Sequence, residues 1–275
     1  MFPFKIQSFK ISAWVLSVCV SVAVVRVLAQ ERAGAEPVPA GAGAPAAAVP
    51  VGSKRPVRVL FLGHESRHHN STQYLPYIQE RMGPEGIVFD YFTKPDCLQA
   101  ETLNRYDAVM LYANHGRMTP EQYDALHAYI TSGHGFLPIH CASACFGNEP
   151  RFRALVGGRF KSHKTGVFQT VFLQRSHPVL QGVNEYETWD ETYVHDSLNE
   201  EGRTLLAERV EDEHREPWTW VRTEGKGRIF YTASGHDERT WRNLEFQKLL
   251  RNAILWSVGE AVAAEWEKGG GHRLP

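Results

Sequence analysis

Apolar positions in this chain fall into short runs separated by polar loops, and the runs follow two different periods. Residues 57–62 (Val-Arg-Val-Leu-Phe-Leu) form a nearly continuous apolar block, as a strand at the centre of a parallel sheet requires. Similar blocks at 87–92, 107–112 and 136–139 predict three more strands. Between the first two, Tyr74, Leu75, Ile78 and Met82 recur at helical spacing and predict a helix over 72–82, ended by Gly83-Pro84. Residues 96–104 read as a short helix or loop. Thr119-Pro120-Glu121-Gln122 opens the next helix: Thr119 caps, Pro120 suits the first turn, and Gln122 reaches back as in a capping box. That helix runs through Leu126 and Ile130 to Ser132-Gly133, and another is expected over 150–156. The order β-α-β-α-β-α-β with short links predicts a parallel sheet with right-handed crossovers.

Beyond Gly157-Gly158-Arg159-Phe160 the pattern shifts towards antiparallel strands. Residues 167–173 and 204–210 read as strands, and 218–223 with 228–232 as a hairpin around Glu224-Gly225-Lys226-Gly227. A closing helix over 244–258 carries Phe246, Leu249, Leu250, Ile254 and Leu255 on one face. The expected fold class is therefore α/β, with a mainly parallel central sheet and antiparallel additions in the C-terminal half.

The N-terminal segment has a different character. Lys5 and Lys10 precede an apolar run over 11–25, followed by Val27-Leu28-Ala29, the pattern of a signal peptide cleaved after Ala29. The run falls short of the roughly 20 residues that span a bilayer, so the expected location is periplasmic or extracellular. A membrane association follows only if the segment stays uncleaved, which Arg26 near the cleavage region leaves open. Residues 30–55 are rich in Ala, Pro, Gly and Val and read as a flexible linker. Residues 56–268 then form one α/β domain and 269–275 a tail. Removing 1–29 takes away three positive charges and no acid, moving the formal charge from −1 to −4. That balance gives no sign of a nucleic-acid partner.

Cysteine usage argues against a disulfide scaffold, since only Cys97, Cys141 and Cys145 remain after processing. The 13 histidines are more informative, because eight lie between His64 and His163. Four strands end in a histidine-bearing loop: His64/His68/His69, His115 with Asn114, His140 beside Cys141, and His236. Ligands of open α/β sheets sit beyond the carboxyl ends of the strands, so these side chains are expected to converge. His163 and the pair Asp190-Glu191 complete the wall. Histidine with carboxylate serves acid–base chemistry near neutral pH or binds a divalent metal such as zinc or manganese. Trp189 and Tyr193 flank the acidic pair and are candidates to stack on sugar faces or to pack in the core. Nucleotide-binding glycine loops, a Walker loop, His-Glu-Xaa-Xaa-His and the Gly-Xaa-Ser-Xaa-Gly elbow are all absent.

Several segments, taken together, resemble the trehalose-utilisation (ThuA-like) family of the class I glutamine-amidotransferase-like superfold. They are His69-Asn70-Ser71, Pro138-Ile139-His140-Cys141-Ala142-Ser143, Leu155-Val156-Gly157-Gly158-Arg159-Phe160 with His163, and His177-Pro178-Val179. Trp189-Asp190-Glu191-Thr192-Tyr193, Gly225-Lys226-Gly227-Arg228-Ile229-Phe230-Tyr231 and Gly235-His236 before Trp241 continue the set in the family's order. The resemblance implies a flavodoxin-like three-layer sandwich and a role in carbohydrate metabolism on oxidised (3-keto) disaccharides or glycosides. True amidotransferases carry a cysteine nucleophile within Gly-Xaa-Cys-Xaa-Gly. Here His140 stands at that elbow with Cys141 one residue late, so glutaminase chemistry is not expected.

The mechanistic expectation is proton transfer beside a sugar ketone, of isomerase, lyase or hydrolase type. His140, Glu191, Asp190 and His163 are the catalytic candidates. His69, Asn114, His115, Cys141, Trp189, Tyr193 and His236 are the substrate-binding ones. His69, His140, His163 and His236 are candidate ligands for a zinc or manganese ion. A non-catalytic module that binds sugar or docks onto a partner is the alternative, and a homo-oligomer is left open.

Overall fold

The computed structural model describes residues 55–270. The expected signal peptide, nearly all of the expected linker and residues 271–275, with His272, lie outside the described residues. Four βα steps open the domain. Strand β1 (Val57–Leu62) leads to helix α1 (Ser71–Met82), and β2 (Ile87–Phe92) to the short α2 (Ala100–Leu103). Then β3 (Ala108–Leu111) leads to α3 (Pro120–Thr131), and β4 (Gly135–Pro138) to α4 (Pro150–Val156). The predicted capping box forms at α3: the Gln122 N–H donates to Thr119 Oγ1 at 3.2 Å, and the Thr119 N–H to Gln122 Oε1 at 2.8 Å.

The second half is mostly strands: β5 (Arg159–Ser162), β6 (Thr165–Phe172), β7 (Glu187–Glu191), β8 (Val194–Asp196), β9 (Arg203–Glu211), β10 (His214–Glu224) and β11 (Gly227–Thr232). Helices α5 (Glu238–Arg242), α6 (Leu244–Ser257) and α7 (Glu260–Lys268) close the domain. Nine strands make one sheet in the order β2-β1-β3-β4-β11-β10-β9-β6-β7, while β5 and β8 pair as a separate ribbon. Pairing is parallel from β2 to β11 and antiparallel from β11 to β7. The expected α/β class with antiparallel additions is thus what forms.

Alternation along β1 explains the layers. Val57, Val59 and Phe61 pack on one face with Leu75 and Ile78 of α1 and Leu250 and Ile254 of α6. Leu60 and Leu62 pack on the other with Leu126 and Ile130 of α3 and Phe152 of α4. Helices on both faces leave the parallel strands mostly covered, which is why they read as nearly continuous apolar blocks. Trp218 and Trp220 of β10 are fully buried, and each indole N–H finds an acceptor, Ser234 Oγ at 2.7 Å and the Val156 carbonyl at 2.9 Å. The β10–β11 turn presses on α3 so closely that a Cβ at Gly227 would collide with the Ile130 carbonyl. Among the described residues no helix is long and apolar enough to cross a membrane.

Candidate functional site

Strand register brings the histidine-bearing loops together. Ile139 bridges to Thr232, so the residues that follow, His140 and Ala233, leave the sheet side by side. The His140 Nδ1–H donates to the Ala233 carbonyl at 2.6 Å. His140 takes a left-handed backbone conformation, φ 48°, which a side chain with a Cβ rarely adopts and which the surroundings must hold in place. Tyr231 Oη supplies that hold. It donates to the His140 carbonyl at 3.0 Å, lies 3.0 Å from Ser143 Oγ, and accepts from His195 Nε2 at 2.9 Å. The His140 ring is fully buried under Tyr193, centroid to centroid 4.1 Å.

The β1 loop is tied by Ser71, whose hydroxyl accepts from the His64 N–H at 2.7 Å and donates to the His64 carbonyl at 2.6 Å. A Cβ at Gly63 would strike that hydroxyl, so glycine is required for the approach. The loop places His69, 6% exposed, with its ring 5.3 Å from His140 and 5.2 Å from His236.

Asp190 and Glu191 end the edge strand β7, and they do different work. Asp190 is fully buried and accepts from the backbone N–H groups of Glu191 (2.9 Å), Gly235 (2.8 Å), His236 (3.0 Å) and Asp237 (3.1 Å), and from Thr240 Oγ1 (2.7 Å). It therefore fixes the loop that carries His236 through the main chain and not through the ring. Burial pushes its carboxyl up, and His140 with these donors pulls the other way.

Glu191 lies at the centre. Its Oε2 is 3.3 Å from His140 Nε2, and its Oε1 is 3.3 Å from His163 Nδ1 and 3.4 Å from His236 Nδ1. Burial alone would raise its carboxyl, but these imidazoles outweigh it and hold Glu191 below its ordinary value, anionic at neutral pH. Burial and the neighbouring rings of His140 and His236 push His69 down to about 3, and burial with His140 lowers His236. Both rings are thus neutral at neutral pH, with lone pairs to offer. His69, His140, His236 and Glu191 each present one donor atom, all within 4.8 Å of one another, a set able to hold a metal ion.

The other predicted residues take varied places. The side chain of His163 is 40% exposed and flanks Glu191 from the solvent side. His115 is half-buried, 3.1 Å from the Gly63 carbonyl through Nε2, with His64 edge-on at 5.3 Å, and Asn114 is exposed beside it. Cys141 is wholly buried in the core and is not brought to the group. Trp189 is half-buried beneath the Arg239 guanidinium, 4.0 Å from its ring centroid, while Tyr193 packs on His140 with the two rings tilted. The sequence assigned no role to Tyr231, although its one polar tip at the end of an apolar strand is a signal. Nor does any local pattern mark His195 as its partner.

With that geometry in view, the comparisons are direct. The model of the family described as trehalose utilisation, ThuA, matches residues 58–257. A Bacteroides uniformis protein described as ThuA-like shares the fold at TM-score 0.62 and 19% identity, covering 78% of this chain and 95% of that one. Its counterpart from Parabacteroides merdae gives TM-score 0.62 and 19% identity, over 74% and 90%. A beta-galactosidase of Bacillus circulans sp. alkalophilus matches at TM-score 0.52 and 15% identity, over 82% of this chain and 33% of that one. No curated protein matches the chain.

Proposed function

The chain belongs to the trehalose-utilisation (ThuA) family, and on that premise we propose that it is an exported enzyme that moves a proton beside the keto group of an oxidised disaccharide or glycoside. The family description, trehalose utilisation, supports a carbohydrate substrate, and the keto group is part of the proposal. One observation carries the chemistry: an anionic, largely buried Glu191 carboxylate stands 3.3 Å from the Nδ1 of an exposed imidazole, His163. With Nδ1 turned to Glu191, the Nε2 of His163 is free to meet a substrate. His163 takes the proton from the carbon next to the ketone, and Glu191 steadies the imidazolium that results. His236, partly exposed at the same carboxylate, donates to the oxygen on which negative charge develops. His140, fully buried, touches no substrate and lies against the Glu191 carboxylate from the core side. Return of the proton to a neighbouring carbon gives isomerisation, and departure of a glycosidic oxygen next to the carbanion gives cleavage.

The test is turnover of 3-keto-trehalose and related 3-keto glycosides by the purified protein, followed by NMR. Wild type should convert at least one of them, and His163→Ala should lose about 10²–10⁴ in kcat with its circular dichroism unchanged. Sugar binding by the wild type without turnover would overturn this reading in favour of a binding module.

A further inference from the structure

The nitrogens around Glu191 are arranged for something other than hydrogen bonding. A carbonyl oxygen can only accept, so the 2.6 Å contact with Ala233 puts the proton of His140 on Nδ1. His140 Nε2 lies 3.3 Å from the Glu191 carboxylate, yet the geometry makes no hydrogen bond between them. His236 Nδ1, 3.4 Å from the same carboxylate, is likewise buried without a hydrogen-bond partner. Both ring nitrogens of His69 are buried without a partner as well. Buried polar atoms nearly always have partners, and three rings with partnerless nitrogens, each offering one to the same carboxylate, point to a shared one. Two ligands each about 2.0–2.2 Å from a zinc-sized ion lie about 3.0–3.5 Å apart, and the observed contacts of 3.3 and 3.4 Å fall in that range.

The supports of these residues fit as well. Metal-bound histidines usually give their second N–H to a carbonyl or carboxylate, as His140 does to Ala233. The carboxylate of Asp190 holds the backbone N–H of both Glu191 and His236, fixing two of the four residues from one point. Three imidazoles and one carboxylate suit a divalent transition metal, and are too rich in nitrogen for calcium or magnesium.

We propose that His69, His140, His236 and Glu191 together bind one divalent transition-metal cation of the zinc or manganese class, with His163 outside the ligand set. Bound there, the cation supplies Lewis-acid polarisation of a substrate oxygen. That use rests on the keto-sugar reading, whereas the binding itself does not.

The experiment strips the purified chain with chelator and titrates it with ZnCl2 and MnCl2 by calorimetry. The variants are His69→Ala, the near-isosteric Glu191→Gln and His163→Ala, each checked for fold by circular dichroism. One ion per chain is expected for at least one of the two metals. His69→Ala and Glu191→Gln should each weaken binding at least 100-fold, and His163→Ala by less than threefold. Failure of folded wild type to bind either ion would overturn the proposal, as would binding that survives both ligand substitutions or that vanishes with His163→Ala. Ion binding without keto-sugar turnover would count against the proposed reaction and leave the site standing, and turnover without ion binding would do the reverse.

Discussion

Asp190→Asn is the perturbation whose cost the structure lets one work out. The carboxylate receives five hydrogen bonds, three at Oδ1 from the N–H groups of Glu191, His236 and Asp237, and two at Oδ2 from Gly235 and Thr240. An asparagine that keeps its oxygen at the Oδ1 position keeps the first three. Each then loses the charge assistance that makes bonds to a carboxylate about twice as strong as neutral ones, roughly 0.5 kcal/mol apiece. The amide nitrogen lands at the Oδ2 position. The Thr240 hydroxyl can rotate and accept from it, but the Gly235 N–H cannot, and a buried donor without an acceptor costs about 1–3 kcal/mol. The total is about 2.5–4.5 kcal/mol, below the 5–15 kcal/mol typical of a folded domain, so the variant should still fold. With a urea slope of about 2–3 kcal/mol/M, the unfolding midpoint should fall by about 1–2 M. Urea titration followed by tryptophan fluorescence reads this directly. A midpoint within about 0.3 M of wild type and an unchanged slope would show that Asp190 does not anchor the 235–237 loop.

Other outcomes follow from neighbouring groups. Tyr231→Phe removes the donor to the left-handed His140 and should cost about 1–2 kcal/mol. It should also lower kcat on any keto-sugar substrate more than it raises KM, and equal kinetics would show that the strain at His140 is held elsewhere. Burial pushes the thiol of Cys97 up to about 12, that of Cys145 higher still, and that of Cys141 well above its ordinary value. Iodoacetamide at pH 8 should therefore leave all three unmodified until the protein unfolds, and rapid labelling of Cys141 with loss of activity would revive a thiol nucleophile. Burial, with His140 and Arg209 nearby, depresses His195 from 6.5 to about 3. The unfolded chain binds that proton more readily, so the stability contribution is intact above pH 6.5 and is lost as pH falls towards 3. Between pH 6.5 and 5 it amounts to about 2 kcal/mol. Unfolding free energies of wild type and His195→Gln should thus converge by about that much across the interval, and parallel curves would contradict the assignment.

Much of the fold was legible because its determinants are local. The largely apolar blocks at 57–62 and 87–92 coincide with β1 and β2, and the Thr119 and Gln122 pair starts α3 where its side chains dictate. What escaped depends on distant partners. Strand β5, Arg159-Phe160-Lys161-Ser162, has no apolar periodicity, and its mate β8 lies some thirty residues on. Strand β7 was met as the motif Trp189-Asp190-Glu191 without a strand assignment, since its place at the sheet edge is set only by β6. The same divide runs through the site. His69, His140 and His236 stood out because each follows a strand, and strand ends share an edge. Sequence could not say which ring nitrogen His140 would turn inward, because that is decided by the Ala233 carbonyl and the β4–β11 register. Nor could it separate Asp190, spent on backbone N–H groups, from its neighbour Glu191, which faces the imidazoles.

The account's central claim is that His163 and Glu191 move a proton beside a sugar ketone. Incubating a 3-keto disaccharide with the protein in D2O, and following the carbons that flank the ketone by NMR, tests that step without requiring that the product be known. The account predicts deuterium appearing at one flanking carbon, in residual substrate or in product, far faster than in buffer, and falling at least 100-fold in His163→Ala. Exchange at the buffer rate with a saturating, demonstrably bound 3-keto disaccharide would contradict it.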